Sequence, residues 1–304
     1  MAGLKNIKSK ILSVKKTSTV TRAMEAVSAV KMRKSQQRAL TARPYARAAL
    51  RVLASVADSH DVANHPLARE RKDGKVAIVI ITSDKGLAGN LNSAVIRKTE
   101  QFIREEKLSS NELVFICIGK RGYEFAQRRE YEILHHHINI SDDIDEVEFR
   151  TITDKVIALQ TGGAVREVRM AYTNFRSTFE QEASVHKVLP ISLKTVREIV
   201  GSITPEKGKF AEAEPEHSAP SYTIEPDAEE VFNALIPRLA NIAVFHKLLE
   251  SKASEHSARM VAMKSATDKA KEMAQDLTRT FNKVRQAAIT REVSEITSGI
   301  EAMR

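Results

Sequence analysis

The stretch from Leu239 to Arg304 constrains the fold most, because it contains no proline and its only glycine is Gly299. Ala, Lys, Glu, Met, Leu, Gln and Arg fill it, and these residues are strong helix formers. Roughly 60 residues at about 1.5 Å each give a helix about 90 Å long, whereas the average globular helix has about 11 residues. We therefore expect this helix to lie against an equally long partner.

The apolar residues of this stretch predict a narrow heptad seam. They recur at steps of three and four, at Met263, Ala266, Ala270, Met273, Leu277, Phe281, Val284 and Ala288, and then at Val293, Ile296, Ile300 and Met303. Two successive four-residue steps, from Met273 to Leu277 and on to Phe281, predict that the supercoil unwinds locally. Because Ala and Met dominate, we expect a thin coiled coil that is not strongly self-stabilised.

The residues from Leu4 to Asp58 predict a second long amphipathic helix, which Pro44 kinks or ends. Its predicted apolar stripe runs through Leu4, Ile7, Ile11 and Val14, and resumes at Val20, Met24, Val27 and Val30. Thirteen Lys and Arg residues form the opposite face before residue 52, and Glu25 is the only acidic residue among them. Two amphipathic helices at opposite ends of one chain predict an antiparallel coiled coil that the middle of the chain closes.

The middle of the chain predicts a small α/β domain. Lys75 to Thr82 and Glu112 to Ile118 are continuous apolar runs, typical of strands buried on both faces of a parallel sheet. The other predicted elements are helices at 92–106 and 119–129, a third strand at 131–140, a helix that Ser141 or Asp142 caps and that runs to Gln160, and a strand pair at 165–175 and 182–189. The predicted fold class is α/β: a long antiparallel coiled coil plus a Rossmann-like domain.

These patterns divide the chain into four segments. We predict an N-terminal coiled-coil helix at 1–60, an α/β domain at 61–194, a polar insertion at 195–226 and a C-terminal helix at 227–304 that pairs with residues 1–60. The insertion carries Pro205, Pro215, Pro220 and Pro226, which are incompatible with a regular helix.

Two motifs resemble ligand-binding or metal-binding sites, and for each of them we favour a structural role. Ser83 to Asn92 is a glycine turn between a strand and a helix, where doubly wound folds bind phosphate, but it matches neither a Walker A loop nor G-x-G-x-x-G. His135, His136 and His137 alternate faces on a strand, so they cannot all bind one metal ion. No nucleophile–base set is evident, and we predict no catalytic residue, no metal site and no cofactor.

The charge pattern leaves several partners open. The net charge of +9 and the basic N-terminal helix fit nucleic acid or acidic loops of a protein, and a merely solvated face is a third reading. An enzyme that binds a nucleotide at Gly86 and Gly89 is a further alternative. No apolar h-region follows the first Met, so we expect no signal peptide, and there is no run of 18 apolar residues. Cys117, the single cysteine, is expected to be a buried thiol.

Several motifs together resemble the γ subunit of F-type ATP synthase. They are Ile7 to Ile11, Thr21 to Glu25, Lys31 to Lys34, Ser83 to Asn92, Glu255 to Met263 and Asn282 to Thr290. The resemblance covers the whole chain except about 195–226. It implies a non-catalytic rotor shaft that couples proton-driven rotation of the c-ring to ATP synthesis or hydrolysis in the β subunits. The implied partners are the α and β subunits, the ε subunit and the membrane c-ring, with no nucleic acid and no transmembrane segment of its own.

The resemblance also implies which residues couple the shaft to the hexamer of α and β subunits. Arg285 and Gln286 match positions that hydrogen-bond a loop near the base of the β catalytic domain. The further implied contacts are Arg259, Thr290, Glu292, Met24, Lys31, Arg33 and Lys34.

Ala88 and Asn90 depart from the family pattern, and the regulatory cysteine pair of the chloroplast type is missing, so thiol control of rotation is not expected. The N-terminus favours the cytoplasmic face of a bacterial membrane, with a mature organellar chain as the alternative.

Overall fold

The computed structural model describes residues 2–41, 48, 66–191 and 228–303. The helices in these ranges are α1 (Ala2–Thr41), α2 (Leu91–Glu105), α3 (Lys120–Arg128), α4 (Glu146–Thr161) and α5 (Ala228–Ala302), with a short 3₁₀ turn at Ser110–Glu112. The strands are β1 (Lys75–Ile81), β2 (Leu113–Ile118), β3 (Ile133–His137), β4 (Val165–Phe175) and β5 (Gln181–Leu189). Two compact units divide the chain: the terminal unit, Met1–Ala29 with Arg259–Arg304, and the central unit, Val30–Ala258.

The five strands of the described residues form one sheet in the order β3-β2-β1-β4-β5. The pairs β1–β2, β1–β4 and β2–β3 are parallel, and β4–β5 is antiparallel. Helices α2, α3 and α4 make the crossovers that parallel strands require. The last two strands need only a tight turn, in which Ser177 N donates to Glu180 O at 2.9 Å. The predicted parallel core and the predicted strand pair are both confirmed.

Both faces of the sheet are buried, which explains the continuous apolar runs of β1 and β2. One face packs against α2 and α3 through Val95, Phe102 and Phe125. The other face packs against α4 and the first part of α5, where Phe149 and Phe245 have ring centroids 5.7 Å apart.

Gly119 allows the chain to turn from β2 into α3. Its φ of +95° is a conformation that side chains disfavour. A Cβ at this position would lie 2.0 Å from Thr82 O. Thr82 is held there because its Oγ1 accepts a 2.7 Å hydrogen bond from Gly122 N. The close approach of the two segments therefore requires glycine.

Two predicted boundaries were wrong, the cap of α4 and the extent of the third strand. The cap of α4 is Asp145, which accepts from Glu148 N at 2.7 Å, and not Ser141 or Asp142. Helix α5 begins at Ala228, upstream of the proline-free stretch at 239–304, and contains Pro237. The cost of an internal proline is offset because Ile236 and Ala240 on either side are buried in the core. The third strand is shorter than predicted. The predicted helix beyond Thr41 and the insertion at 195–226 lie outside the described residues.

Candidate functional site

In the terminal unit, the less exposed residues of α1 keep heptad spacing along the helix, even where these residues are polar. Leu4, Ile7, Ile11 and Val14 are half-buried, as predicted. Further along, the less exposed positions are Ser18, Thr21, Glu25 and Ser28, and Met24 is also half-buried. The predicted stripe at Val20, Val27 and Val30 was wrong, because these three valines are exposed. Steps of three and four from Val14 lead to the polar residues, so the heptad spacing of the helix decides which residues face the seam, whether or not they are apolar.

In the seam of α5, two of the buried residues lie one position after the predicted ones: Thr267 in place of Ala266, and Ala274 in place of Met273. Met263, Thr267, Ala270 and Ala274 are buried, and Leu277 and Phe281 are half-buried. Met273 is 56 % exposed whereas Ala274 is 6 % exposed. The steps from Met263 to Phe281 therefore alternate four and three without interruption. The predicted heptad break at Met273, and with it the reason for local unwinding, was wrong.

A pair of hydroxyl groups joins the two helices of this unit. Thr21 Oγ1 and Thr267 Oγ1 lie 2.7 Å apart. Each hydroxyl also lies in hydrogen-bond reach of a carbonyl of its own helix, 3.1 Å from Ser18 O and 2.8 Å from Met263 O. These polar atoms are thus satisfied inside the seam, and the next two buried positions of α5, Ala270 and Ala274, carry small side chains, so this part of the interface is thin.

The end of α5 has no counterpart in α1. From the Thr21–Thr267 contact, α1 continues to Ala2 and α5 continues to Ala302. The remaining length of α5 is almost twice that of α1. Every described residue from 282 to 303, which we call the terminal segment, is exposed. Its large apolar side chains follow four-three-four steps at Ile289, Val293, Ile296 and Ile300. This stripe lacks a partner within the described residues.

The residues implied to couple to the hexamer fall into three environments. Arg285, Gln286, Thr290 and Glu292 lie in the terminal segment, where Thr290 Oγ1 donates to Gln286 O at 3.0 Å. Met24 is half-buried beside the seam of α1. Arg259 is only 7 % exposed, so most of its side chain is already covered by this chain. A coupling role for each of these residues stays a prediction.

Lys31, Arg33 and Lys34 belong to the central unit. Lys31 Nζ lies 2.7 Å from Asp142 Oδ2, and Lys34 Nζ lies 2.6 Å from Asp143 Oδ1. Arg33 is exposed. Part of the basic face of α1 is therefore neutralised within the chain, which weakens the argument for a phosphate-binding face there.

Asp142 is the centre of a charged cluster that sequence reasoning missed. Besides Lys31, its carboxylate faces Lys252 Nζ at 3.5 Å and His256 Nε2 at 3.1 Å, both from α5. The contacts with His256 and Lys31 hold the pKa of Asp142 well below its usual range, and the charge of Lys252 acts in the same direction. Since Lys31 is more than 100 positions from Asp142, no local pattern could have indicated this cluster.

The glycine turn is closed by its own hydrogen bonds. Ser83 N donates to Asn92 Oδ1 at 2.9 Å, and Asn92 Nδ2 donates to Ser83 Oγ at 2.7 Å. Asp84 Oδ1 accepts from Lys120 N at 3.0 Å, so it ties the turn to α3. The side chains of Ser83, Asp84 and Asn92 are thus engaged in holding the turn together, which agrees with a structural role for these three residues.

The three histidines lie on β3, an edge strand of the sheet, as predicted. They pair in continuous register with Ile116, Cys117 and Ile118 of β2, so neighbouring rings point to opposite faces, and His136 stacks on Tyr123 with ring centroids 4.5 Å apart. Burial and the nearby charge of Lys155 lower the pKa of His135 and of His137. Within the described ranges, no three or more His, Cys, Asp or Glu side chains are grouped to hold a metal ion.

Within those same ranges, none of the helices combines the length and the hydropathy that a membrane span requires. Cys117 is buried in β2, and burial raises the pKa of its thiol to about 12. This thiol is therefore a structural group of the core.

Solved structures share this fold. The OSCP/F1/c-ring structure of Euglena gracilis mitochondrial ATP synthase in rotational state 3 has a chain with TM-score 0.66 and 17 % identity, covering 99 % of this chain and 95 % of that one. The rotor of the same enzyme in rotational state 1 gives 0.60 and 18 %, with coverage of 95 % and 99 %. The central stalk/c-ring of Tetrahymena thermophila mitochondrial ATP synthase gives 0.57 and 21 %, with coverage of 81 % and 99 %.

At these identities the likeness establishes the fold alone. The family itself follows from the sequence: a family model described as ATP synthase matches residues 3–303, nearly the entire chain. The chain therefore belongs to the γ subunit family of the ATP synthases.

Proposed function

We propose that this chain is the central rotor shaft of an F-type ATP synthase, which couples proton-driven rotation of the c-ring to ATP synthesis or hydrolysis in the β subunits. Its partners are the hexamer of α and β subunits, the ε subunit and the membrane c-ring. Family membership supports this role. The similar structures also support it, since they are described as rotor, central stalk and F1/c-ring parts of ATP synthases.

The terminal segment is the observation that carries the proposal. A helix end with an apolar stripe at Ile289, Val293, Ile296 and Ile300 is unusual for a free monomer. The same segment carries charged and polar side chains between these residues, among them Arg285 and Glu292. Such a surface suits a helix that a ring of subunits surrounds, because its contacts with the ring can change as the helix turns.

The seam of the terminal unit fits the same role. Between the larger apolar residues Met263 and Leu277, its buried positions on α5 are Thr267, Ala270 and Ala274, and Thr267 pairs with Thr21. Small residues keep the helix pair thin, which suits a shaft that must rotate inside a ring of subunits.

The chain has no active site of its own in this proposal. In the glycine turn, Ser83 and Asn92 hydrogen-bond to each other. The thiol of Cys117 is protonated at neutral pH, because its pKa is raised to about 12. These observations support a chain that transmits rotation and leaves the chemistry to the β subunits.

The contacts with the hexamer are also part of the proposal. Arg285 and Gln286 bind a loop near the base of a β subunit, since an exposed guanidinium pairs bidentately with a carboxylate. The segments 1–60 and 227–304 form the shaft, 61–194 forms the body, and 195–226 is an insertion. We place the chain at the cytoplasmic face of a bacterial membrane. The mitochondrial source of the similar structures is compatible with the organellar alternative.

Reconstitution with α and β subunits from the same source tests the proposal. We expect a stable complex of three α subunits, three β subunits and one copy of this chain, which sizing detects and which hydrolyses ATP. The double variant Arg285→Ala with Gln286→Ala should impair hydrolysis by at least fivefold. Arg279→Ala is the matched control, because Arg279 is an exposed arginine of the same helix outside the proposed contact. Failure of the unmodified chain to form any complex would refute the rotor function.

A further inference from the structure

The residues 138–145 connect β3 to α4, and we call them the Asp142 loop. In the central unit this loop contacts α1 and α5 together. From α1 it receives Lys31 and Lys34 at the two aspartates, Asp142 and Asp143. From α5 it receives Lys252, whose Nζ donates to Ile140 O at 3.2 Å, and His256 at the Asp142 carboxylate.

Arg38 of α1 reinforces the same attachment. Its guanidinium donates to Asp142 O at 2.7 Å and also to Ile144 O. The same guanidinium lies 5.9 Å from the ring centroid of Phe245, on α5. One arginine side chain thus contacts the loop backbone and the neighbouring helix at once, with donors that match the two carbonyl groups.

The two helices depend on this loop to different degrees. Helix α5 is embedded in the core of the sheet through Val244, Leu248 and Leu249. It also bonds the sheet directly, since Lys247 Nζ donates to Tyr172 Oη at 3.0 Å and Ser254 Oγ donates to Thr173 O at 3.3 Å.

The part of α1 in this unit has far fewer anchors. Met32 and Ser35 are buried and Ala39 packs at the edge of the core. Among the described side chains of residues 30–41, the ion pairs and hydrogen bonds with the rest of the unit come from Lys31, Lys34 and Arg38, and each reaches the Asp142 loop. The polar part of the attachment of α1 therefore rests on this loop.

We propose that the Asp142 loop is a clasp that fastens α1 to the sheet and to α5, so that a torque applied to the sheet turns both helices together. The functional part of this inference rests on the proposed rotor function. Asp142 is a positioning residue: it touches neither a substrate nor a reacting group, and acts by holding Lys31, Lys252 and His256 in one place.

Burial indicates why Asp142 matters more than its neighbour Asp143. The side chain of Asp142 is 25 % exposed, and its partners Lys252 and His256 are 10 % and 5 % exposed. Removal of this carboxylate leaves the nearly buried ammonium of Lys252 without its counter-charge, which displaces the loop, whereas α5 keeps its own anchors in the core. The Asp143–Lys34 pair is mostly exposed and is expected to contribute little.

Hydrogen exchange of the full-length chain tests the clasp directly. In Asp142→Asn, amides of α1 between residues 30 and 41 should exchange at least tenfold faster, whereas amides of α5 between 240 and 256 should stay within threefold of the unmodified chain. Arg38→Gln should release α1 in the same way by a different chemical change. Equal acceleration in both helices, or none in α1, would overturn the clasp.

A coupled assay tests its consequence. In the complete ATP synthase rebuilt in liposomes, Asp142→Asn should retain ATP hydrolysis within twofold but pump at least threefold fewer protons per ATP. Asp154→Asn is the matched control, because it removes a carboxylate from an exposed pair with Arg150 on α4. Full pumping efficiency in Asp142→Asn refutes the clasp alone, whereas an inactive complex of the unmodified chain refutes the rotor function.

Discussion

The register of the α5 seam can be tested with two neighbouring substitutions, Ala274→Asn and Met273→Asn. Ala274 is 6 % exposed and faces the seam, whereas Met273 is 56 % exposed. Asparagine is uncharged, so it cannot gain an ion pair with the basic face of α1. Its lower helix propensity costs about 0.5 kcal/mol at either position, so this contribution nearly cancels between the two variants.

The two substitutions should differ in the stability of the helix pair. At position 274 the side-chain amide is buried without a partner, which costs about 1–3 kcal/mol, so the total is about 1.5–3.5 kcal/mol. At position 273 the loss is at most about half of the 1.5–3 kcal/mol that a fully buried methionine contributes, so the total is at most about 1.3–2 kcal/mol. The free-energy difference is thus on the order of 1 kcal/mol, which is roughly fivefold in an opening equilibrium.

Hydrogen exchange of peptides covering residues 263–281 measures this opening. We expect exchange roughly fivefold faster in Ala274→Asn than in Met273→Asn, with the amides of β1 unchanged in both variants as an internal control. Equal exchange in the two variants, or faster exchange in Met273→Asn, would show that Met273 lies in the seam and that the structural register is wrong.

Three further predictions concern other parts of the molecule. Gly119→Ala should lower the free energy of unfolding by about 3 kcal/mol or more, because its Cβ would meet Thr82 O at 2.0 Å, and thermal unfolding measures the loss. Gly299→Ala, in open space on α5, should change little or stabilise the helix by about 0.5–1 kcal/mol, and equal effects of the two substitutions would contradict this prediction. The carboxylate of Asp142 has a lowered pKa in the folded chain, so its contribution to the free energy of unfolding is present above about pH 4 and falls as the pH drops further; acid titration of unfolding should be shallower in Asp142→Asn, and an unchanged slope would argue against the cluster. Cys117 should not react with a thiol reagent at pH 8 until the chain unfolds, since burial raises its pKa to about 12, and rapid labelling of the folded chain would refute its burial.

Much of the central unit could be predicted from the sequence because the relevant patterns are local. The apolar runs of β1 and β2, the helical patterns between the strands and the pairing of β4 with β5 were all evident before the structure. The error at the start of α4 has a local cause as well, since Asp145 rather than Ser141 caps that helix. Pro237 is accommodated inside α5 because its flanking residues are buried.

The candidate site was predictable only in part. The motifs around Arg285 and Gln286 indicated the family. The length of the C-terminal stretch indicated a helix longer than those of an ordinary globular domain. The seam was harder to predict, because hydrophobicity favoured Val20, Val27 and Met273 whereas the helix geometry selected Thr21, Ser28 and Ala274.

Periodicity and short motifs are enough to predict the fold class, the order of the strands and helices along the chain and the family. Which helix faces meet and which charges pair became evident from the three-dimensional arrangement alone. Asp142 joins Lys31 and His256, which are both more than 100 positions away along the chain. A sequence pattern reports the neighbours of a residue along the chain, whereas packing and charge pairing depend on its neighbours in space.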